Sequence, residues 1–262
     1  MGRYLPLKKK FQSITNKLWA FSAVALLVII WQTVCSLGLV DSFMLPSPID
    51  VISALISEFP VLAEHSLVTL GEAFSGLACG IIIGFFIAVV MDRFEPVYKA
   101  FYPLIVLTQT VPTVAIAPLL VLWFGYEMMP KIILITVTTF FPITVGLLTG
   151  FKSADTDSVN LLRAMGADNS QIFRHIKLPG ALPQFFSGLR ISASYAVVGA
   201  VISEWLGGFA GLGVYMTRVK KAYSFDKMFA VIILISVISL LLMKLVDYLN
   251  KRFTPWERSR KK

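Results

Sequence analysis

Apolar residues in this chain gather into six long runs separated by short polar intervals. The runs cover about 18–38, 66–91, 100–124, 131–150, 183–208 and 228–249. Each approaches or exceeds the ~20 residues that a helix needs to cross the hydrocarbon core of a bilayer. The pattern predicts an all-α integral membrane protein with about six transmembrane helices. Residues 18–249 form the membrane domain, between a basic N-terminus at 1–17 and a basic tail at 250–262.

The longest polar interval, 152–187, reads as two short helices and a turn. Asp155 caps a first helix whose Val159, Leu161, Leu162 and Met165 fall roughly on one side. Gly166 stands where a left-handed C-terminal residue is wanted. Asp168 restarts the chain as an N-cap, with Gln171 as its capping-box partner. Ile172, Phe173 and Ile176 give the second helix an apolar face, and Pro179 closes it, because the residue before a proline resists the helical region. Both helices are too short to span a bilayer. Such a hairpin between two spans offers its apolar face to something outside the membrane.

Elsewhere the pattern is equally specific. Ser47, Pro48 and Asp50 form a strong helix start, and Val51, Ile52, Leu55, Ile56 and Phe59 recur at helical spacing, which predicts a surface helix on the outer side. Gly76, Gly80 and Gly84 line one side of the second run, where another helix can approach closely. The third run carries Pro103, Pro112 and Pro118, with Gln109, Thr110 and Thr113 at mid-depth. Prolines there kink a helix and leave backbone groups unbonded, a state tolerated beside protein or a water-filled cavity. This run therefore lines a pathway or is a kinked packing helix, and its polar residues favour the pathway. Thr136 adds polarity to the fourth run. Glu204 lies about 21 Å along the helix from Arg190, near the outer end of the fifth. There it faces the pathway, or reaches outer water and caps the backbone of Gly207 and Gly208.

Composition and charge narrow the class. The chain is 56% hydrophobic with mean hydropathy +0.76 and net charge +9. Its basic residues lie mainly between the runs, which favours a membrane over nucleic acid as partner. Intervals assigned to the inside hold 17 Lys and Arg, and those assigned outside hold 5. The positive-inside rule thus places both termini and the 152–187 hairpin in the cytoplasm. Arg218, Lys220, Lys221 and Lys227 run against this trend, through a misplaced boundary or as an outer patch that meets an acidic partner. No small-x-small cleavage site follows the first run, so it is read as an uncleaved span. Cys35 and Cys79 both lie in apolar runs and are read as small buried side chains. No phosphate-binding G-x-x-x-x-G-K-[ST] occurs, His65 and His175 are isolated, and no metal cluster or catalytic triad is evident.

These residues carry a resemblance. Gly166, followed after nine residues by Ile176-Lys177-Leu178-Pro179, resembles the cytoplasmic coupling loop of permease subunits of bacterial binding-protein-dependent ABC importers. Asn160-Leu161-Leu162 stands where that loop has Glu-Ala-Ala. Three further stretches, 109–125 (QTVPTVAIAPLLVLWFG), Leu182-Pro183 with Gly188-Leu189-Arg190, and 204–213 (EWLGGFAGLG), are similar to the sulfonate, taurine, nitrate and pyrimidine-precursor branch. The resemblance implies a non-enzymatic permease of the bacterial inner membrane that binds no cofactor. ATP-Mg belongs to a separate ATPase subunit, which receives Leu162, Met165, Gly166, Ile172, Phe173, Ile176, Leu178 and Pro179. An extracytoplasmic solute-binding protein delivers the solute, and a second permease copy completes the pathway along Gln109, Thr110, Pro112, Thr113, Thr136 and Glu204. The Asn-Leu-Leu opening and the run GVYMTRVKKAYSFDKMFA most resemble permeases for thiamine-precursor pyrimidines, with alkanesulfonate, taurine or nitrate behind. The rival class is a self-sufficient secondary transporter. It would show coupling-ion sites or intramembrane charge pairs, and acids within the runs look scarce.

Overall fold

The computed structural model describes residues 5–256, with side chains described from Leu18 onward except Ala20. Arg3 and the tail beyond Trp256 lie outside the described residues, as do the side chains of Lys8, Lys9, Lys10 and Lys17. In order, the helices are α1 (Leu5–Ser36), α2 (Pro48–Ser57), α3 (Phe59–Arg93), α4 (Glu95–Thr108), α5 (Thr113–Phe124) and α6 (Met128–Lys152). Then follow α7 (Thr156–Ala164), α8 (Asn169–Ile172), a π turn (Phe173–Lys177), α9 (Leu178–Leu206), α10 (Leu212–Lys221) and α11 (Phe225–Phe253). All six apolar runs fall on helices. By length and composition, four described stretches can each cross a membrane: Phe59–Arg93, Met128–Lys152, Asn169–Leu206 and Phe225–Phe253. The pair α4 and α5 makes a fifth when counted as one bent span. Of α1, the described apolar part is Phe21–Ser36.

The described residues of Met1–Pro60 and Arg218–Ile232 form one compact unit. There Ser47 and Asp50 form the expected capping box at the start of α2. The Trp31 indole N–H donates to the Pro46 carbonyl at 3.1 Å, and Val51 and Ala54 pack with Ala230. Lys227 pairs with Glu58. Ile52, Ile56 and Phe59 remain exposed, so α2 buries a narrower face than its periodicity suggests.

The described residues of Val61–Thr217 and Ile233–Lys262 form the second unit. At its centre α6 and α9 touch backbone to backbone. A Cβ at Gly146 would strike the Gln184 carbonyl, one at Gly150 would strike Ala181, and one at Gly188 would strike the Pro142 carbonyl. The Gly76, Gly80 and Gly84 seam of α3 lies equally close to Ile135, Thr139 and the Phe140–Thr144 turn of α6. Hydroxyls tie these contacts: Ser192 Oγ donates to the Thr139 carbonyl at 2.7 Å, and Thr136 Oγ1 to the Gly76 carbonyl at 3.3 Å. Where water is absent, such close approach and interhelical hydrogen bonds supply the attraction.

Two expectations change here. The third run is not one kinked helix but two helices meeting at 95°. Gln109 and Thr110 close α4 with tight bonds to the carbonyls of Val106 and Leu107, and Pro112 caps α5. Pro103 and Pro118 sit inside helices, so Pro112 alone of the three coincides with the break. The second change concerns Pro179, which closes nothing. Leu178 keeps helical angles (φ −64°, ψ −50°), and its N–H bonds five residues back to the Phe173 carbonyl. The wide π turn absorbs the carbonyl that loses its donor to the proline ring. Asn169–Leu206 consequently runs as one helical stretch of 38 residues.

Candidate functional site

Three places in the second unit bear on function. The hairpin at 152–187 is built as its sequence requires. Asp155 accepts from the Ser158 N–H at 3.1 Å to start α7. Gly166, at φ +85°, ends α7 in a Schellman turn: its N–H donates to the Arg163 carbonyl and the Ala167 N–H to that of Leu162. Asp168 and Gln171 then exchange capping-box bonds of 2.7 and 2.9 Å. α7 buries no residue, and Leu161 and Met165 are 64% and 76% exposed. The second helix faces the other way. Ile172 is buried, Phe173 packs on Phe151 with ring centroids 5.2 Å apart, and Leu178 and Ile176 are half-buried. Lys177 Nζ reaches both Asp92 oxygens at 2.9 Å, fastening the hairpin to the end of α3. Among the residues singled out, Leu162, Met165 and Gly166 belong to the outward part. Ile172, Phe173, Leu178 and Pro179 belong to the continuous helix that anchors it.

The second place is the break between α4 and α5. A cavity of about 320 Å³ there is lined by Gln109, Pro112, Thr113, Thr138 and Tyr195, among others. A neighbouring cavity of about 400 Å³ is lined by Thr149, Gln184 and Ser187 and shares Gln109 and Tyr195 with the first. Among the described residues no Asp, Glu, Lys or Arg lines either cavity. Gln109 and Thr110 are exposed on the protein surface beside it. Thr136 and Glu204 do not line these cavities. Thr136 spends its hydroxyl on α3, and Glu204 is buried elsewhere.

That elsewhere is the third place, a charged cluster at the far end of the bundle from the hairpin. Glu204 is 2% exposed and reaches neither water nor the Gly207-Gly208 backbone. It accepts from Thr69 Oγ1 at 2.7 Å and from the Gly213 N–H at 2.5 Å. The Leu212 N–H donates to Thr69 Oγ1 and the Gly211 N–H to His65 Nδ1, both at 2.9 Å. Three successive backbone donors at the start of α10 are thereby satisfied by side chains of α3 and α9. Gly211, at φ +119°, has no room for a methyl against the Glu204 carboxylate. Beside it Lys131 Nζ donates to Glu72 Oε1 at 2.5 Å, with both side chains buried. Lys131 thus sits inside the first turn of α6. Acids inside the runs are not scarce either, since Glu72 and Glu204 are both enclosed. A charge within an apolar run was the available signal for Glu72. Nothing local foretold its pairing with Lys131.

Comparisons with known proteins agree with this layout. Residues 80–255 match the family model described as "Binding-protein-dependent transport system inner membrane component". The formylaminopyrimidine transport permease protein ThiX of Halalkalibacterium halodurans is 34% identical over 253 residues, covering 96% of this chain and 99% of the relative. The taurine transport system permease protein TauC of Escherichia coli is 29% identical, over 90% and 89%. Among solved structures, an inward-facing MetNI methionine ABC transporter superposes with TM-score 0.67 at 21% identity, covering 76% of this chain and 98% of that one. A bacterial ABC transporter involved in alginate import gives 0.64 at 17%, covering 94% and 99%. The chain belongs to the binding-protein-dependent transport system inner membrane components, and it is a permease subunit of an ABC importer.

Proposed function

We infer that two copies of this permease enclose a pathway along the α4–α5 break and α9, through which a small uncharged solute, a thiamine-precursor pyrimidine, enters the cell. The observation that carries this reading is the cavity at the break. Gln109, Thr110 and Thr113 place amide and hydroxyl groups on the surface of a helix pair that lies in the membrane. The Thr110 hydroxyl is already bonded to the Leu107 carbonyl at 2.8 Å, but the Gln109 amide facing lipid would go unsatisfied, whereas facing a second copy across water it is solvated. The lining offers hydrogen bonds and the Tyr195 ring but no charge, which suits a neutral heterocycle better than a sulfonate anion. The named solute of the Halalkalibacterium relative points the same way.

Drive comes from outside the chain. An ATPase subunit holding ATP-Mg receives the exposed face of α7, with Leu162, Met165 and Gly166 at its rim. Motion of that face passes through Ile172, Phe173, Ile176, Leu178 and Pro179 into the unbroken helix that carries Glu204 in its last turn and ends at Leu206. A solute-binding protein delivers solute at the opposite face, and both termini lie in the cytoplasm. Glu72 and Lys131 are a charge pair of the kind a secondary transporter would show, but they and Glu204 are bonded within the protein and line neither cavity at the break, which favours a structural over an ion-coupling role. The test is uptake by proteoliposomes holding permease, ATPase and binding protein. Formylaminopyrimidine accumulates with ATP inside, and taurine does not. Accumulation of taurine instead would move the chain to the sulfonate side, and accumulation of neither would remove the solute assignment.

A further inference from the structure

The unit formed by the described residues of Met1–Pro60 and Arg218–Ile232 holds a patch that transport does not account for. α10 ends in a basic turn with Arg218, Lys220 and Lys221. Lys220 and Lys221 are exposed, and no ion pair among the described residues takes either of them, whereas Lys227 is held by Glu58. The chain leaves α10 through a second Schellman turn. The Tyr223 N–H donates to the Lys220 carbonyl at 3.1 Å and the Ser224 N–H to the Val219 carbonyl at 3.0 Å. The left-handed position of such a turn normally belongs to glycine. Here Tyr223 occupies it at φ +59°, the one non-glycine residue with positive φ among those described. A bulky side chain held there is strained, and strain of this kind marks a position kept for its side chain.

What the side chain does follows from where it sits. Tyr223 is 67% exposed, its ring 5.9 Å from that of Phe43, which in turn lies edge-on to Phe225 at 5.3 Å. Leu39 and Met44 nearby in sequence are also largely exposed. Phe225 opens a helix long and apolar enough to cross the bilayer, so 218–224 falls at the level where that helix leaves the hydrocarbon. Exposed aromatics beside unpaired lysines at the end of a span match the headgroup layer, where rings sit at the boundary and ammonium groups meet lipid phosphates. An acidic soluble partner would satisfy the lysines but would not explain why the rings stand where a membrane-length apolar helix begins. The same placement accounts for basic residues that oppose the positive-inside trend.

We propose that Lys220, Lys221 and Tyr223 form a binding site for the phosphate headgroup of an anionic phospholipid, with the Phe43, Tyr223 and Phe225 rings seated at the headgroup boundary. The experiment uses the full-length protein in vesicles of phosphatidylcholine and phosphatidylglycerol, doped with a photoactivatable form of one or the other. Cross-links are mapped to the peptide containing 218–227. Phosphatidylglycerol labels it preferentially, by about fivefold for each lysine engaged, and the preference shrinks at high salt. K220Q/K221Q brings the ratio of the two labels to about one. Y223G, which keeps both lysines and relieves the backbone, melts no lower than the wild type yet takes less label. Equal labelling of the wild type by both lipids overturns the proposal. So does a preference that survives K220Q/K221Q. If instead the wild type binds the solute-binding protein, the variant does not, and neither lipid is preferred, the patch belongs to a protein partner and the lipid site is wrong.

Discussion

Lys131 Nζ lies 2.5 Å from Glu72 Oε1, with the two side chains only 6% and 5% exposed. The residues are far apart in sequence, on α6 and α3, and the bond clamps those helices at the end of the bundle where Glu204 secures α10. Two charges withdrawn from water are tolerable as a pair, but one left alone is not. K131M is expected to lose about 3–5 kcal/mol, while E72M/K131M returns to within about 1 kcal/mol of the wild type or exceeds it. Thermal unfolding of the purified protein in detergent checks this. K131M melting with the wild type would contradict it.

The Glu204 carboxylate is expected to be the fastening of the 211–213 turn. In E204A the Gly213 N–H loses its acceptor, at about 1–3 kcal/mol for the orphaned donor, while the Thr69 hydroxyl falls back on the His65 carbonyl at 3.2 Å. Hydrogen exchange at Gly211–Gly213 should accelerate markedly, with the centre of α6 unchanged. E204Q keeps one acceptor oxygen and should fall between. Equal exchange in all three proteins would remove Glu204 from this role.

Glycines divide by what their missing side chains would meet. G188A and G150A push α6 from α9, and each should cost about 1–3 kcal/mol. At Gly71 on α3 nothing lies within 4 Å, so G71A should be neutral or stabilise by up to about 1 kcal/mol. Unfolding midpoints of the three variants give the comparison, and a destabilising G71A beside a silent G188A would reverse it.

Leu161 on α7 and Met165 at its C-cap are exposed apolar residues. L161D/M165D is expected to insert and fold with stability within about 0.5 kcal/mol of the wild type, as exposed substitutions do. Copurification with the ATPase subunit should drop at least tenfold. G166P removes the Schellman turn that aims α7 and should retain ATPase activity in the complex while losing uptake. Normal copurification of L161D/M165D would place the docking surface elsewhere.

Much of this was legible in the chain itself, and for local reasons. Caps act within four residues, so Ser47-Pro48-Asp50, Asp155, Gly166 and Asp168-Gln171 each announced the turn found at that position. Apolar run length likewise located the helices. Pro179 misled because the rule for residues preceding proline presumes an α-helical turn, and the π turn evades it. At 109–112 the prolines signalled irregularity, but which one breaks the helix, and by 95°, depends on how α5 settles on α6 and α9. Glu72, Lys131, Thr69 and Glu204 form a cluster across three helices, and no single-segment pattern pairs them. The α6–α9 seam was hidden too, since Gly146 and Gly150 lie on α6 and Gly188 on α9, and they show their purpose only when packed.

The central claim is that this bundle moves solute only when pushed from the hairpin by a separate ATPase. Its most direct test is initial-rate uptake of labelled formylaminopyrimidine into proteoliposomes containing the permease and binding protein, with and without the ATPase subunit and internal ATP. Uptake is expected only with ATPase and ATP together, and it should persist when ion gradients are collapsed. Full-rate uptake by the permease without the ATPase, abolished by an ionophore, would contradict the account.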